Sequence, residues 1–486
     1  MTDEPRARRE DPGPLLARTL EIATAYLQAL PERPVLVDQD VASLRAALVT
    51  ALPETGEDPI AVIERLASDA DPGIVSMAGP RYFGYVIGGA VPASLAADWL
   101  TSTWDQNAGL YSCGPAASVV EEAVGAWLID LLGLPAGTSY GLVSGCQMAG
   151  FTGLAAARHA VLEAVGWDVE AKGLIGAPEI DVVVGAEAHS TIGGALQFLG
   201  LGRDRVHTAA ADGQGRMRLD ALEATLDAIP AGRPLIVCLQ AGNVNTGAFD
   251  PFGPMIDLVR RRAGAWVHID GAFGMWARVS PQTAYLLDGA ERADSWATDA
   301  HKWLNVPYDS GLAFVAHPRA HAAAMAPPHA AYLEYVGDEQ RDQVYWNPEF
   351  SRRARGFPMY AALRSLGRSG VREMVERGCW VARRIADRIE AAPGAAVLND
   401  VVLNQVLVRF ETDDRDPAAS DALTRATLQE IQEEGTIWLS GTTWHGMAAI
   451  RVSVSNWGTG ADEAELAATT ILGAAERVRA KGTPAG

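Results

Sequence analysis

Apolar positions recur at helical spacing early in the chain, over residues 15–30, 40–52 and 58–69, and each stretch predicts an amphipathic helix. Pro31 and Pro34 end the first. These helices carry too few apolar positions to fold alone and are expected to pack against a partner surface. From about residue 115 the period changes. Short β-rich runs at Asp181–Val184, Pro234–Leu239, Ala265–Ile269 and Gly311–Val315 alternate with helical stretches such as 218–228 and 253–263. Unbroken apolar strands separated by helices predict an α/β fold, a mainly parallel sheet with helices on both faces. Ligands of such sheets collect beyond the carboxyl ends of the strands, where His189 and Asp270 fall. After Gly370 the pattern reads as a long helix from Val371 to Ala391. A strand-like run at 402–408, a helix near 419–433 and a strand-like run at 450–454 follow, predicting a smaller α+β domain. The expected division is an N-terminal helical segment over 1–95, a large α/β domain over 96–372 and a small α+β domain over 373–486. The tail from Lys481 to Gly486 is expected to be loose.

Composition narrows the class. The 486 residues are 48% hydrophobic and 21% charged, the balance of a globular protein long enough for two cores. A formal net charge of -20 argues against a nucleic-acid partner, which would need clustered Lys and Arg. Cys113, Cys146, Cys238 and Cys379 show no CxxC spacing, so neither a zinc cage nor a disulfide framework is indicated. Met1 to Pro14 is charged and Pro-rich, without an apolar stretch of signal-peptide type. With no apolar segment of about 20 residues, no membrane span is expected, and the cytoplasm is the expected location.

The chemistry concentrates at two places. Asp270 sits in Val267-His268-Ile269-Asp270-Gly271-Ala272, and Lys302 in Thr298-Asp299-Ala300-His301-Lys302-Trp303-Leu304. Each segment joins the end of an apolar run to a polar turn. A carboxylate and an amine placed this way suit pyridoxal phosphate: the amine forms a Schiff base with the aldehyde, and the carboxylate keeps the pyridine nitrogen protonated. A lone lysine is ordinarily a solvated surface charge. The apolar neighbours of Lys302 instead predict desolvation, a lowered pKa and a better nucleophile. His268 and Asp270 could supply two metal ligands, but no third His or Cys lies at helpful spacing. Ser144-Gly145-Cys146-Gln147 leads into a predicted helix from Met148 to Ala160, and such a turn offers backbone N–H groups and a favourable dipole to a phosphate. It matches neither GxSxG, nor a Walker loop, nor GxGxxG. His189, just past a strand, is either a hydrogen-bonded loop histidine or a flat ring stacked on a cofactor. Asn243, within Gln240–Gly247, is either a turn residue or a donor to a ring hydroxyl.

Taken in order, these segments resemble the group II pyridoxal-phosphate decarboxylases, the family of aromatic-L-amino-acid and glutamate decarboxylases. The likeness runs from Pro80-Arg81-Tyr82-Phe83-Gly84-Tyr85 to Arg451-Val452-Ser453-Val454-Ser455-Asn456. It is most specific in the segments around Lys302 and Asp270, and includes Trp99–Thr103 and Pro115–Glu122. The resemblance implies a fold-type I homodimer built on a seven-stranded-type sheet, with active sites at the interface and the N-terminal helices in the dimer contact. It implies that Lys302 bonds the cofactor, that Asp270 pairs with the ring nitrogen, and that Ala272 and His189 cover the two ring faces. Cys146 and Gln147 fall where the family binds phosphate, His301 and Asp299 lie close by, and Arg451 matches an arginine used near the substrate carboxylate. Two departures matter. The phosphate turn reads Ser-Gly-Cys-Gln-Met-Ala where relatives carry small hydroxyl residues followed by an acidic one and Asn or Thr. The loop between Tyr332 and Arg352, where relatives place a protonating tyrosine, is shorter, and Tyr345 is the candidate acid.

The expected activity is therefore decarboxylation of an L-amino acid to the amine and carbon dioxide. Tyr85, Val86 and Gly88 match positions lining the pocket of aromatic-amino-acid decarboxylases, and a valine there leaves space for a large ring. Trp99–Thr103 with Gln106 and Asn107 is similar instead to glutamate decarboxylases, where polar groups meet the distal carboxylate. No additional Arg or Lys lies in these segments, which favours an aromatic or bulky apolar side chain over an acidic one. The alternatives are an acidic substrate, oxidative deamination to an aldehyde if the loop acid is missing, or another fold-type I lyase or aminotransferase. Retention of both Asp270 and Lys302 opposes a non-catalytic scaffold.

Overall fold

Seven strands pair into one sheet in the computed structural model, which describes residues 11–37, 39–327 and 340–482. They are β1 (Ser139–Val143), β2 (Asp181–Gly185), β3 (Val206–Ala209), β4 (Leu235–Gln240), β5 (Trp266–Asp270), β6 (Ser295–Asp299) and β7 (Gly311–Val315), in the order β1-β7-β6-β5-β4-β2-β3. Only β7 runs against its neighbours; the pairings among β6, β5, β4, β2 and β3 are parallel. Every residue of β1, β5, β6 and β7 is buried, as a sheet covered on both faces requires. The two-residue period assigns the faces. Val183, Val237 and Val267 join a core with Leu128, Leu226, Ile256 and Met359. Val182, Ile236 and Trp266 join Leu154, Leu196 and Ala320 on the other side.

A second sheet holds β8 (Ala395–Val397), β9 (Gln405–Phe410), β10 (Ser440–Trp444) and β11 (Met447–Ser453), antiparallel in the order β10-β11-β9-β8. Helices Pro417–Glu434 and Ala461–Lys481 cover it through Leu423, Ile431 and Ile471. The strand expected over 402–408 starts later, because the Asn404 amide turns aside to donate to the Val454 carbonyl at 2.9 Å. The long helix begins at Gly356, bends at Gly367 (φ 62°) and ends at Glu390. It gives Met359 and Met374 to the first core and Ile385 and Ile389 to the second, so the division expected at residue 372 falls inside a shared helix.

Helices Gly13–Ala29, Val41–Leu48 and Pro59–Ala70 occur where the periodicity placed them, and none of their residues is buried. Asp40 and Asp58 cap the second and third by accepting from Ser43 and Ala61. Among the described residues no helix is long and apolar enough to cross a membrane. Of the tail expected to be loose, Lys481 is the last helical residue, and residues 483–486 lie outside the described ones.

One core group carries a pH signature. His268 on β5 is fully buried, with Nδ1 2.8 Å from the Ser295 hydroxyl oxygen, which also accepts the Trp266 indole N–H at 2.9 Å. Its Nε2 has no hydrogen-bond partner among the described residues. Burial pushes the imidazole down to about 4. Below the ordinary histidine value of about 6.5 the unfolded chain takes a proton that the folded one refuses, so stability is lost as pH falls. From pH 7 to pH 5 this loss is expected to be roughly 2 kcal/mol. Urea unfolding at both pH values should show a larger drop for the wild type than for His268→Gln, and equal drops would refute the assignment.

Candidate active site

Beyond the carboxyl ends of β4, β5 and β6 lies a cavity of about 240 Å³. Its walls contain Val86, Cys146, Gln147, His189, Asp270, Ala272, Asp299, His301 and Lys302, nine residues anticipated from the sequence. Asp270 is the last residue of β5 and Asp299 the last of β6, and the two strands are adjacent. The turn after β6 then brings Lys302 back over the strand end, its Nζ 2.9 Å from Asp299 Oδ2. Trp303 anchors that turn, buried beside Gly378 of the long helix. Asn305 locks it. Its φ is +55°, a left-handed conformation that asparagine tolerates. Its Oδ1 accepts the backbone N–H groups of Gly89 (2.6 Å) and Trp457 (3.0 Å), while Nδ2 donates to the carbonyls of Trp303 and Ser455 at 2.9 Å each.

The expectation that burial lowers the Lys302 pKa is corrected. Burial is the largest influence and acts in that direction, but the surrounding negative groups, Asp299 first and Asp270 with it, together outweigh it and hold the amine above its ordinary value. The histidines behave differently. Burial lowers both His189 and His301 below the usual imidazole value, with Asp299 and Asp270 opposing only in part. His189 Nδ1 lies 2.8 Å from the Thr191 hydroxyl and accepts the Thr191 N–H at 3.4 Å, which orients the ring. His301 Nδ1 accepts the Ser310 N–H at 3.1 Å, and its ring stacks on Tyr308 at 4.3 Å.

The residues present fit a phosphorylated pyridine aldehyde. Helix Cys146–Glu163 starts at the cavity wall; the Cys146 N–H is taken by Asp299 Oδ1 at 2.6 Å. No acceptor among the described residues takes the backbone N–H of Gln147 or Met148, which leaves an anion seat at the helix start. The turn before it is set by a close approach, since a Cβ on Gly311 would lie 2.4 Å from the Gly145 Cα. Asp270 Oδ1 accepts from Ala272 N–H and from the Cys146 thiol, at 3.2 and 3.4 Å, and Oδ2 has no protein donor among the described residues.

Other anticipated residues are placed elsewhere. Asn243 does not face the cavity: its Oδ1 accepts the N–H groups of Asn245 and Thr246 at 2.8 and 3.2 Å, and its Nδ2 abuts Gly215. Its neighbours Gly242 and Val244 line the wall instead. Asn107 is spent on the segment after the loop, accepting the N–H groups of Gly109 (3.0 Å) and Arg352 (3.2 Å). Gly88 is a packing position, because a Cβ there would sit 1.9 Å from the Lys302 carbonyl oxygen. Tyr85 stands outside the cavity lining, half exposed and stacked on Trp438 at 5.4 Å. Arg451 lies behind Val244, touching its carbonyl at 3.4 Å; burial lowers its pKa and Tyr85 opposes this. Tyr345 is not in the cavity. It ends a short turn, Gln343–Tyr345, held against β1 by Arg341 over the Tyr140 ring and by Trp346, whose carbonyl lies against Gly141. Residues 332–339 of the expected catalytic loop lie outside the described ones. Sequence reasoning missed Thr191, Gln240, Gly242, Val244 and Phe273 in the lining and Asn305 behind it; only Gly242, at φ +91°, left a turn signal.

Fold and site together define a fold-type I α/β enzyme, with an amine, a ring-facing carboxylate and an open helix start around one cavity. The chain belongs to the pyridoxal-dependent decarboxylase family, whose conserved domain matches residues 42–411. It is thus a pyridoxal-phosphate-dependent amino acid decarboxylase, a carboxy-lyase. It is 25% identical over 476 residues to an aromatic-L-amino-acid decarboxylase of Bacillus atrophaeus, covering 95% of each chain. It is 31% identical over 366 residues to an acidic amino acid decarboxylase of Mus musculus, covering 73% of this chain and 64% of that protein. The crystal structure of Oryza sativa TDC with PLP and tryptamine superposes with a TM-score of 0.89 at 22% identity, covering 98% of this chain and all of that one.

The close approach at Gly88 yields a test. Gly88→Ala is expected to push the Lys302 turn out of place, weaken cofactor binding and lower turnover by on the order of 10²-fold. Absorbance titration of the apoprotein with pyridoxal phosphate, together with a carbon dioxide assay, checks both. Wild-type values would show that the turn adapts freely.

Proposed function

We propose that the enzyme decarboxylates an L-amino acid with an aromatic or bulky apolar side chain, and that it works as a homodimer. The observation that carries the substrate reading is the cavity wall: Val86, Val244, Ala272 and Phe273 are apolar, and Lys302 is the sole Lys or Arg among the described lining residues. Tyr85 and Tyr308, both more than half exposed and each stacked on a neighbouring ring, add aromatic surface close by. A distal carboxylate placed here would be desolvated without a partner.

Pyridoxal phosphate, when bound, supplies an aldehyde for the substrate amine and a protonated ring that accepts the electrons of the breaking Cα–carboxylate bond. The helix start at Gln147 and Met148 would hold its phosphate, and Asp270 Oδ2 would hold the proton on its ring nitrogen. Lys302 Nζ would hold its aldehyde carbon, and Asp299 Oδ2, 2.9 Å away, is placed to take the proton that Nζ must lose. His189, kept neutral by burial and oriented by Thr191, would cover one ring face and Ala272 the other. Among the described residues Arg451 meets only neutral oxygens, those of Val244 and Asn245 at 3.4 Å, and can take the substrate α-carboxylate. The apolar wall then favours loss of that charge as carbon dioxide.

The acidic-substrate reading keeps one support, the 31% identity to an acidic amino acid decarboxylase. Carbon dioxide release across the twenty amino acids decides. Aromatic substrates are expected to exceed glutamate and aspartate in kcat/KM by on the order of 10²-fold or more, and Lys302→Ala to abolish turnover. The reverse ranking would establish the acidic reading, and aldehyde with ammonia in place of amine would establish the oxidative one.

The homodimer reading is supported by an apolar groove of about 710 Å³ between helices Gly13–Ala29 and Pro92–Trp104, lined by Leu16, Leu20, Trp99 and Leu100. A second copy would cover it. Light scattering after size exclusion should give twice the chain mass for the wild type and a shift towards monomer for Leu16→Glu with Leu20→Glu. A wild-type monomer would end this reading.

A further inference from the structure

The two oxygens of Asp270 are treated unequally. Oδ1 accepts both the Ala272 N–H at 3.2 Å and the Cys146 thiol at 3.4 Å, while Oδ2 is left to the cavity. We propose that Cys146 is a positioning residue: its thiol, together with the Ala272 N–H, fixes the rotation of the Asp270 carboxylate and so dedicates Oδ2 to the cofactor's ring nitrogen. The inference rests on the assignment of Asp270 to that nitrogen.

The local geometry leaves the thiol little choice. Cys146 is the first residue of its helix, and its own N–H is tied to Asp299 Oδ1 at 2.6 Å. The preceding Gly145 is wedged against Gly311. With the backbone held on both sides, the short side chain packs against the small cluster of Val143, Ala149, Ala297 and Ala313 and carries its sulfur to the end of β5. Burial and the charges of Asp270 and Asp299 push the thiol well above its ordinary pKa, so it stays protonated and acts as a donor rather than a nucleophile. The choice of sulfur has a consequence for charge. A thiol is a weak donor. It orients Oδ1 while drawing little charge from the carboxylate, which therefore remains a strong acceptor at Oδ2. Residue 146 thus links the two carboxylates, holding Asp299 through its backbone and Asp270 through its side chain.

Titrating apoprotein with pyridoxal phosphate, and reading both the dissociation constant and the absorbance maximum of the bound chromophore, tests the proposal. Cys146→Ala is expected to weaken binding by about five-fold and to displace the absorbance maximum. Cys146→Ser, which keeps a donor, should bind within about two-fold of wild type. In an Asp270→Asn background the further change Cys146→Ala should have no effect, since the thiol acts through that carboxylate. Wild-type affinity and spectrum in Cys146→Ala would overturn the proposal. So would a loss in both the Ala and Ser variants, or one that persists undiminished beside Asp270→Asn; either marks a packing role. If Asp270→Asn alone binds and absorbs as wild type, the assignment of Asp270 fails, and this proposal with it.

Discussion

The site depends on one buried carboxylate. Asp299 is 2% exposed, and its two oxygens tie the start of the distant helix after β1 to the amine of Lys302 and the imidazole of His301 in its own following turn. A buried charge without partners would be costly, and one with partners drawn from distant segments fixes those segments to each other. The Cys146 N–H, 153 residues away in sequence, meets it at 2.6 Å. The same carboxylate is the foremost of the charges that keep the free amine of Lys302 protonated despite its burial. Its reactivity therefore comes from a nearby proton acceptor rather than from desolvation alone.

Four of the seven strands of the first sheet, β2, β4, β5 and β7, and the centre of the site were legible because they obey local rules. A polar residue just past an unbroken apolar run lies at a strand's carboxyl end, so Asp270 and His189 could be placed beside a ligand without knowing any contact. Strands with little apolar content escaped. β3 is a short, half-exposed edge, and β10 reads Ser-Gly-Thr-Thr-Trp, polar because one face meets solvent. Side-chain direction within a turn was not legible either. Asn243 and Val244 are neighbours, yet the asparagine closes its own turn and the valine faces the cavity. Tyr345 shows the same limit at longer range. Its segment is clamped to β1 by Arg341, sandwiched between the Tyr140 and Trp346 rings, and by Arg352, which donates to the Leu142 carbonyl and pairs with the buried Glu121 of helix Pro115–Leu131. No local pattern announces that a loop's far end will be riveted to a sheet edge.

The supports of the Lys302 turn were also invisible from sequence, because they come from three distant places. Gly88 and Gly89 arrive from before the sheet, Gly378 from the long helix, and Ser455 and Trp457 from after the second sheet. Asn305 satisfies four backbone groups at once, and each would be left unpaired in the interior if it were lost. The second sheet therefore does more than cap the first: its carboxyl-terminal exit holds the residue that shapes the turn carrying the reactive amine.

Charge adds a further argument for the proposed aromatic or bulky apolar substrate. Around the cavity, Asp270 and Asp299 are negative and Lys302 is positive, while burial holds His189 and His301 towards the neutral form. The wall is thus short of positive charge before a phosphate is added, and among the described residues the phosphate would draw on the helix dipole and open N–H groups. Behind the wall Arg451 lies against the Val244 carbonyl, and it is the cation assigned to one carboxylate. Every L-amino acid brings that one. An acidic side chain would bring a second, into a space already dominated by negative charge and walled by Val86, Val244 and Phe273. On the proposed reading, repulsion and desolvation would act together against it, whereas an aromatic ring would meet neither.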